Sequence, residues 1–261
     1  MKQLFKIFMA ALLIFAGCGN INQAEPITVA AEPAQVQCVL EVGESSTHNA
    51  SISRRMRRTS EASREAAVIV RSMDGMVRGS GTYFTLNGHH IVVTAAHVIQ
   101  GNPLSYIMTE GGEMTVAVTS YVMSEGEEDL AILLLAEQIE SRTPMELEIL
   151  TDYSSLVGET LVYTGYPGHH DRMTIFGQVA GVERGHVIMN SYAWPGSSGS
   201  AVFDARGRLV GIVKAIDVNR SPWGPQLTED IVWLYPMQSI DLSKVTKFLD
   251  VYEILMEEQS Q

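Results

Sequence analysis

A succession of short apolar runs between about residue 66 and residue 240 most constrains how this chain can fold. Glycine, serine, asparagine and acidic residues divide the runs at regular intervals, and Asn87-Gly88 is a typical hairpin turn. Helical periodicity is weak throughout this region. The pattern predicts an all-β protein made of two successive antiparallel barrels or sandwiches, the first over about residues 66–155 and the second over about 156–240.

The last part of the chain follows a different pattern. Residues 241–258 place apolar side chains at helical spacing, namely Leu242, Val245, Phe248, Leu249 and Tyr252. This predicts an amphipathic C-terminal helix, which we expect to pack on the second barrel.

The first 18 residues have the features of a secretory signal. Lys2 and Lys6 precede the apolar run 8–15, which is too short to span a bilayer. Phe15-Ala16-Gly17-Cys18 resembles a bacterial lipobox, in which the cysteine is lipidated and becomes the mature N-terminus. The resemblance implies an exported protein, periplasmic or on the cell surface, attached to the membrane through Cys18. The alternative is an ordinary secretory signal cleaved nearby.

Residues 19–65 are predicted to form a flexible tether, because proline and polar residues interrupt any sustained apolar period. Within it, Thr59 to Ala67 fits a short helix. Arg54 to Arg58 form the one dense basic cluster, which fits a solvated linker face, a contact with anionic lipid headgroups or a processing site. The only cysteine besides Cys18 is Cys38, so no disulfide framework supports the domain.

Three local contexts contain residue types used in nucleophilic catalysis. Ser198 lies between glycines in Gly196-Ser197-Ser198-Gly199-Ser200, His97 ends the run Thr94-Ala95-Ala96-His97, and Asp129 precedes an apolar strand. Each alone also fits a structural role: a surface turn, a core histidine or a strand-end aspartate. Together their order in the chain is that of a His–Asp–Ser triad divided between two β-barrels.

With Gly79-Ser80-Gly81-Thr82-Tyr83-Phe84, these motifs resemble trypsin-like serine proteases, in particular the bacterial HtrA/Deg-like and glutamyl-endopeptidase branch. The resemblance covers about residues 66–240 and implies two six-stranded antiparallel barrels packed around a central cleft. It also implies that Ser198 is the nucleophile, His97 the general base and Asp129 its orienting partner. The backbone N–H groups of Gly196 and Ser198 would form the oxyanion hole. No metal or cofactor is implied.

Specificity follows less directly from the resemblance. Ser200 replaces the second glycine of HtrA-type loops, yet the strand 210–216 lacks the histidine with which glutamyl endopeptidases bind acidic side chains. Tyr192 occupies the position of the aspartate that gives trypsin its preference for basic residues. We therefore expect a small or medium apolar residue before the cut, with Val213, Lys214 and Ala215 pairing with the substrate backbone.

The predicted function is that of a serine endopeptidase acting on proteins or peptides. A non-catalytic peptide-binding protein on the same fold and an esterase using the same triad are the alternatives. The net charge of −12 argues against nucleic acid as a partner, because phosphate contacts need a basic surface. The sequence carries no indication of the oligomeric state.

Overall fold

The computed structural model describes residues 52–259 except for residues 169, 222, 223 and 239. For residues 218–229 and 252–259 it describes the backbone alone. The predicted signal, Cys18 and residues 19–51 of the predicted tether lie outside the described residues. None of the described helices combines the length and the apolar character needed to cross a membrane.

The first sheet is a closed barrel of six antiparallel strands with one short addition. The strands pair in the order β1-β4-β5-β6-β3-β2, and pairing of β1 with β2 closes the barrel. Their bounds are Ala67–Ser72 (β1), Arg78–Leu86 (β2), His89–Thr94 (β3), Leu104–Met108 (β4), Met114–Met123 (β5) and Leu130–Leu135 (β6). A two-residue strand, β7 (Met145–Glu146), pairs in parallel with β2. The predicted turn at Asn87-Gly88 joins β2 to β3, with φ of 52° and 87° as a type I′ turn requires.

The second sheet is a closed barrel with the order β10-β13-β12-β11-β8-β9. Its strands are Thr160–Gly165 (β8), Met173–Glu183 (β9), His186–Asn190 (β10), Ala201–Phe203 (β11), Leu209–Ser221 (β12) and Gly224–Pro236 (β13). All the neighbouring pairs are antiparallel. The predicted fold of two six-stranded antiparallel barrels with a C-terminal helix is therefore confirmed.

The barrels pack against each other through an apolar contact. Phe84 of the first barrel and Phe203 of the second are both fully buried, and their ring centroids lie 6.0 Å apart. Burial of side chains of this size stabilises the contact by about 2–3 kcal/mol each. The contact holds together the two halves that carry the candidate catalytic residues.

The first helix corrects the predicted boundary of the tether. α1 spans Arg54–Ala66, so it starts before both the predicted helix at Thr59 and the predicted domain start at residue 66. The Ser53 side chain caps it by accepting a hydrogen bond from the Met56 N–H at 3.1 Å. One face of the helix is buried, comprising Met56, Thr59, Ser63 and Ala66. Part of the predicted tether therefore belongs to the folded domain.

The C-terminal helix forms as predicted but packs elsewhere. α3 spans Leu242–Gln259 and contacts β5 of the first barrel, with Val245 and Leu249 fully buried in an apolar cluster that includes residues of both barrels. Thr246 accepts a hydrogen bond from the Asn87 side chain of the β2–β3 turn at 3.4 Å. The expectation that this helix packs on the second barrel is therefore wrong, because periodicity identifies the apolar face of a helix and not the surface that covers it.

Candidate active site

His97 lies in the short helix α2 (Ala96–Ile99), directly after β3. The preceding Ala95 and Ala96 are buried, and the small side chains leave room for the backbone of the second barrel. A Cβ added to Gly199 would lie only 2.9 Å from the Ala95 nitrogen. The turn that carries His97 and the loop that carries Ser198 are thus in direct contact.

Asp129 holds His97 at two points. Its Oδ2 lies 2.7 Å from His97 Nδ1, and its Oδ1 accepts a hydrogen bond from the His97 backbone N–H at 3.0 Å. A carboxylate only accepts hydrogen bonds, so the ring proton lies on Nδ1, and in the neutral imidazole Nε2 is the free base. The Asp129 side chain is 9% exposed and that of His97 is 47% exposed, so a buried carboxylate orients an accessible imidazole.

The loop around Ser198 depends on two glycines with positive φ. Gly196 has φ 104° and Gly199 has φ 86°. A Cβ on Gly196 would lie 2.5 Å from the Tyr166 carbonyl oxygen, and one on Gly199 would lie 2.3 Å from the Ser80 carbonyl oxygen. Both positions therefore exclude any residue with a side chain, for steric as well as conformational reasons.

The same loop leaves two backbone donors free. The Ser197 N–H is bonded to the Trp194 carbonyl at 2.8 Å, and the Ser200 N–H to the Ser197 carbonyl at 3.1 Å. Among the described residues, none accepts a hydrogen bond from the N–H of Gly196 or of Ser198. Two unpaired N–H groups beside a serine form the arrangement that binds an oxyanion.

Gly79 shows how near the serine lies to the histidine turn. A Cβ built on this glycine would lie 2.6 Å from the Val98 side chain and 2.9 Å from the Ser198 carbonyl oxygen. The residue after His97 and the serine itself therefore flank the same point. The structure thus brings the three predicted triad segments together at the junction of the two barrels.

Ser80 is a residue of this site whose role the sequence analysis missed. Its Oγ donates to the Gly196 carbonyl at 2.6 Å and accepts from the Tyr166 N–H at 2.9 Å. Its backbone N–H donates to the Ser198 carbonyl at 2.8 Å. Ser80 thus anchors the serine loop to the first barrel at both ends. The only signal in the sequence is a small polar residue between two glycines, Gly79 and Gly81.

The strand edge that could pair with a substrate backbone is shorter than predicted. The Val213 carbonyl accepts from the Gly199 N–H at 2.8 Å, and the Val213 N–H donates to the Ser200 carbonyl at 2.9 Å. Val213 therefore supports the serine loop, and its backbone is not open for pairing with a substrate. Lys214 and Ala215 line a groove of about 640 Å³ together with His97 and Asp129.

Tyr192 lies on the segment between β10 and the serine loop. The residue is 38% exposed, and its carbonyl accepts a hydrogen bond from the Tyr163 hydroxyl. Burial raises the pKa of Tyr163 well above its usual range, so this hydroxyl stays protonated and continues to donate. Tyr163 thereby fixes the backbone at Tyr192.

Solved structures of proteases share this fold. A serine endoprotease from Yersinia pestis superposes with a TM-score of 0.53 at 21% identity, over 69% of this chain and 61% of that enzyme's chain. The inactive form of the Rv3671c protease superposes with a TM-score of 0.54 at 18% identity, over 73% of this chain and 92% of the other. An inactive mutant of the same protease from M. tuberculosis gives a TM-score of 0.54 at 16% identity, over 73% of this chain and 89% of the other.

The sequence itself matches a family model, that of the trypsin-like peptidase domain. The match spans residues 79–212, which is more than half of the 261-residue chain. It includes the Gly79-Ser80-Gly81 motif and all three candidate triad residues. The chain therefore belongs to the family of trypsin-like peptidase domains.

Proposed function

We propose that this chain is a serine endopeptidase that cleaves peptide bonds through an acyl-enzyme formed on Ser198. The observation that carries the proposal is the His97–Asp129 pair of the first barrel, on a turn that lies against the glycine-flanked loop carrying Ser198 in the second barrel. Family membership supports a hydrolase of this kind.

The proposed reaction uses each residue of the site once in each half-reaction. Ser198 Oγ attacks the scissile carbonyl while His97 Nε2 takes its proton, and Asp129 stabilises the imidazolium that forms. The proton then passes to the leaving amine, and the acyl-enzyme remains. Water repeats the sequence, releasing the new carboxylate and returning the proton to Ser198. The N–H groups of Gly196 and Ser198 stabilise the oxyanion, each by about 3 kcal/mol.

We further propose that the substrate binds as an added strand along Lys214 and Ala215. This edge begins where the pairing of Val213 with the serine loop ends, and it adjoins the groove beside His97. Tyr192, with a tyrosine where trypsin has an aspartate, favours an uncharged side chain before the cut. Cleavage of a peptide library would identify the preferred residue.

An active-site fluorophosphonate probe tests the proposal directly. The wild-type protein should be labelled on Ser198, and Ser198→Ala should abolish labelling and turnover of an extended peptide. His97→Ala should slow labelling by a factor of about 10³ or more, because the serine loses its base. Ser155→Ala, at an exposed serine outside the site, is the matched control and should react like the wild type.

Two results would redirect the proposal. A folded wild-type protein that binds peptides but is not labelled would be a non-catalytic binder. Rapid hydrolysis of a small ester with no cleavage of extended peptides would identify an esterase.

We also propose that the protein is exported and anchored through a lipidated Cys18, on the strength of the signal-like residues 1–18. Lipidation would add mass to the N-terminal peptide and direct the protein to the membrane fraction. Both effects should be lost in Cys18→Ala. A wild-type protein found entirely in the soluble fraction would contradict this proposal.

A further inference from the structure

Lys214 makes a further connection between the barrels, beside the candidate triad. It lies on β12, with a side chain that is 20% exposed, and its ammonium reaches the loop before Asp129. Nζ donates to the Glu127 carbonyl at 2.8 Å and to Glu127 Oε2 at 2.9 Å, and it lies 3.1 Å from His186 Nε2. An ammonium has three N–H donors, and here each has an acceptor.

The third acceptor for the Lys214 ammonium is the buried His186 side chain. Its side chain is 5% exposed, and its Nδ1 lies 3.1 Å from the Arg184 carbonyl oxygen. A carbonyl accepts, so the ring proton lies on Nδ1, and Nε2 of the neutral ring is free to accept from Lys214. The rings of Trp233 and Tyr235 contact the imidazole edge-on at 5.8 and 6.4 Å between centroids. The packing therefore fixes this acceptor in place.

Glu127 lies two residues before Asp129 in a turn closed by the Glu128 N–H and the Glu125 carbonyl at 3.0 Å. Its side chain is 81% exposed, so the charge pair with Lys214 contributes little by itself. The bond from Lys214 to the Glu127 backbone is different, because it restrains the path of the chain into Asp129. The hydrogen bond from Lys214 and its charge lower the pKa of Glu127, which favours the ionised carboxylate that accepts from Nζ.

We propose that Lys214 is a positioning residue, which with His186 as its buried acceptor holds the segment 127–129 so that Asp129 stays bonded to His97. The proposal rests on the proposed function for its effect on the reaction. The Lys214 side chain then has a role separate from the proposed pairing of its backbone with the substrate. Loss of the ammonium should loosen the Asp129 segment while leaving the backbone of β12 available to substrate.

Lys214→Met tests this because methionine keeps the unbranched apolar stem and removes the three donors. We expect amide hydrogen exchange in residues 124–129 to accelerate about tenfold, since the segment loses its restraint. With an extended peptide substrate, kcat should fall about 10- to 100-fold through misplacement of His97, and KM should change less than about threefold. Lys247→Met, on an exposed position of α3, is the matched control and should change neither quantity.

A pair of substitutions at His186 separates the hydrogen bond from the packing. His186→Gln retains an acceptor and should keep exchange in 124–129 within about threefold of the wild type. His186→Leu fills a similar space without an acceptor and should reproduce the exchange of Lys214→Met. If Lys214→Met does not fold, these two His186 variants decide whether the hydrogen bond between Lys214 and His186 restrains residues 124–129.

Exchange measurements distinguish the two proposals because they do not need an active enzyme. If the wild type is not labelled by fluorophosphonate, the proposed function fails, and exchange still decides whether Lys214 restrains the segment. Unchanged exchange in Lys214→Met would overturn the positioning role. So would faster exchange with an unchanged kcat in an enzyme that is labelled normally.

Discussion

The Asp129 carboxylate accepts two hydrogen bonds from a single residue, one from the His97 backbone at 3.0 Å and one from its ring at 2.7 Å. Asparagine has only one side-chain oxygen, so in Asp129→Asn one of these donors must face an NH₂ group. We expect kcat to fall by about 10³ to 10⁴, because the imidazole loses its fixed tautomer. The free energy of unfolding should fall by about 1–3 kcal/mol.

Steady-state kinetics and urea unfolding measure the two effects. Asp152→Asn is the control, because Asp152 is exposed and accepts a local hydrogen bond from the Ser154 N–H at 2.9 Å. Its kcat should match the wild type. A kcat of Asp129→Asn within tenfold of the wild type would show that the pair does not orient the base.

A second prediction concerns the Ser80 hydroxyl, which Ser80→Ala removes. Ser80→Ala leaves the Tyr166 N–H and the Gly196 carbonyl without their partner, in a site where Ser80 is fully buried. We expect the free energy of unfolding to fall by about 2 kcal/mol. Because the serine loop also loses an anchor, kcat should fall about tenfold.

A matched control exists in the first barrel. Ser105 is also fully buried, yet within the described part of the chain its Oγ has no hydrogen-bond partner. Ser105→Ala removes an unpaired hydroxyl and should be neutral or stabilising in thermal unfolding. Equal losses of stability in the two variants would mean that volume, and not hydrogen bonding, explains the effect at Ser80.

The local motifs around His97, Asp129 and Ser198, and their order in the chain, are enough to predict them as a candidate triad. No local pattern predicts the contacts of Ser80 or the role proposed for the Lys214 side chain. The partners of Ser80 lie 86 and 116 residues away, and Glu127 lies 87 residues from Lys214. Such contacts depend on strand register and on the packing of one barrel against the other, which local patterns do not contain.

Among the elements, α1 allows a sharp test of where the folded domain begins. Met56 lies in its first turn, 4% exposed, within an apolar cluster that includes residues of both barrels. Met56→Ala should reduce the free energy of unfolding by about 2–5 kcal/mol, because it leaves a cavity. Arg57→Ala, one residue later and exposed, should change it by less than about 0.5 kcal/mol. Urea unfolding followed by tryptophan fluorescence compares them, and equal effects would place α1 outside the cooperative unit.

The elements differ in how far their sequences predict them. The strands are predicted well because each apolar run is bounded by turn residues, as between β2 and β3. The start of α1 is hidden because Met56 is the only apolar residue among four arginines, Arg54, Arg55, Arg57 and Arg58. α3 is predicted as a helix, yet its covering surface is set by which barrel offers a matching apolar surface.

At the scale of the whole molecule, Glu110 links the two barrels. It lies in the turn between β4 and β5 and accepts a hydrogen bond from the Tyr166 hydroxyl of the second barrel at 2.7 Å. It also pairs with Arg142, and with Arg172 at 3.2 Å. Since Tyr166 also contacts the serine loop through its backbone, the network connects stability to the site.

The ionisation of Glu110 should make this link sensitive to acid. Burial is the largest single influence and would raise the pKa of Glu110. The Tyr166 hydrogen bond, its own backbone N–H and the charges of Arg142 and Arg172 together outweigh burial and lower the pKa. A pKa that is lower in the folded state than the unfolded value of about 4.3 stabilises the protein above that value. This stabilisation is lost as the pH falls through the folded pKa.

Glu110→Gln should therefore be less stable than the wild type at pH 7, and the difference should shrink steadily towards pH 3. Urea unfolding at a series of pH values measures it, with exposed Glu61→Gln as the control that should show no such trend. Titration of the other carboxylates is common to both proteins and cancels in the difference. A difference that stays constant with pH would mean that Glu110 acts through its shape and hydrogen bonds alone. A shrinking difference would instead show that its charge holds the two barrels together.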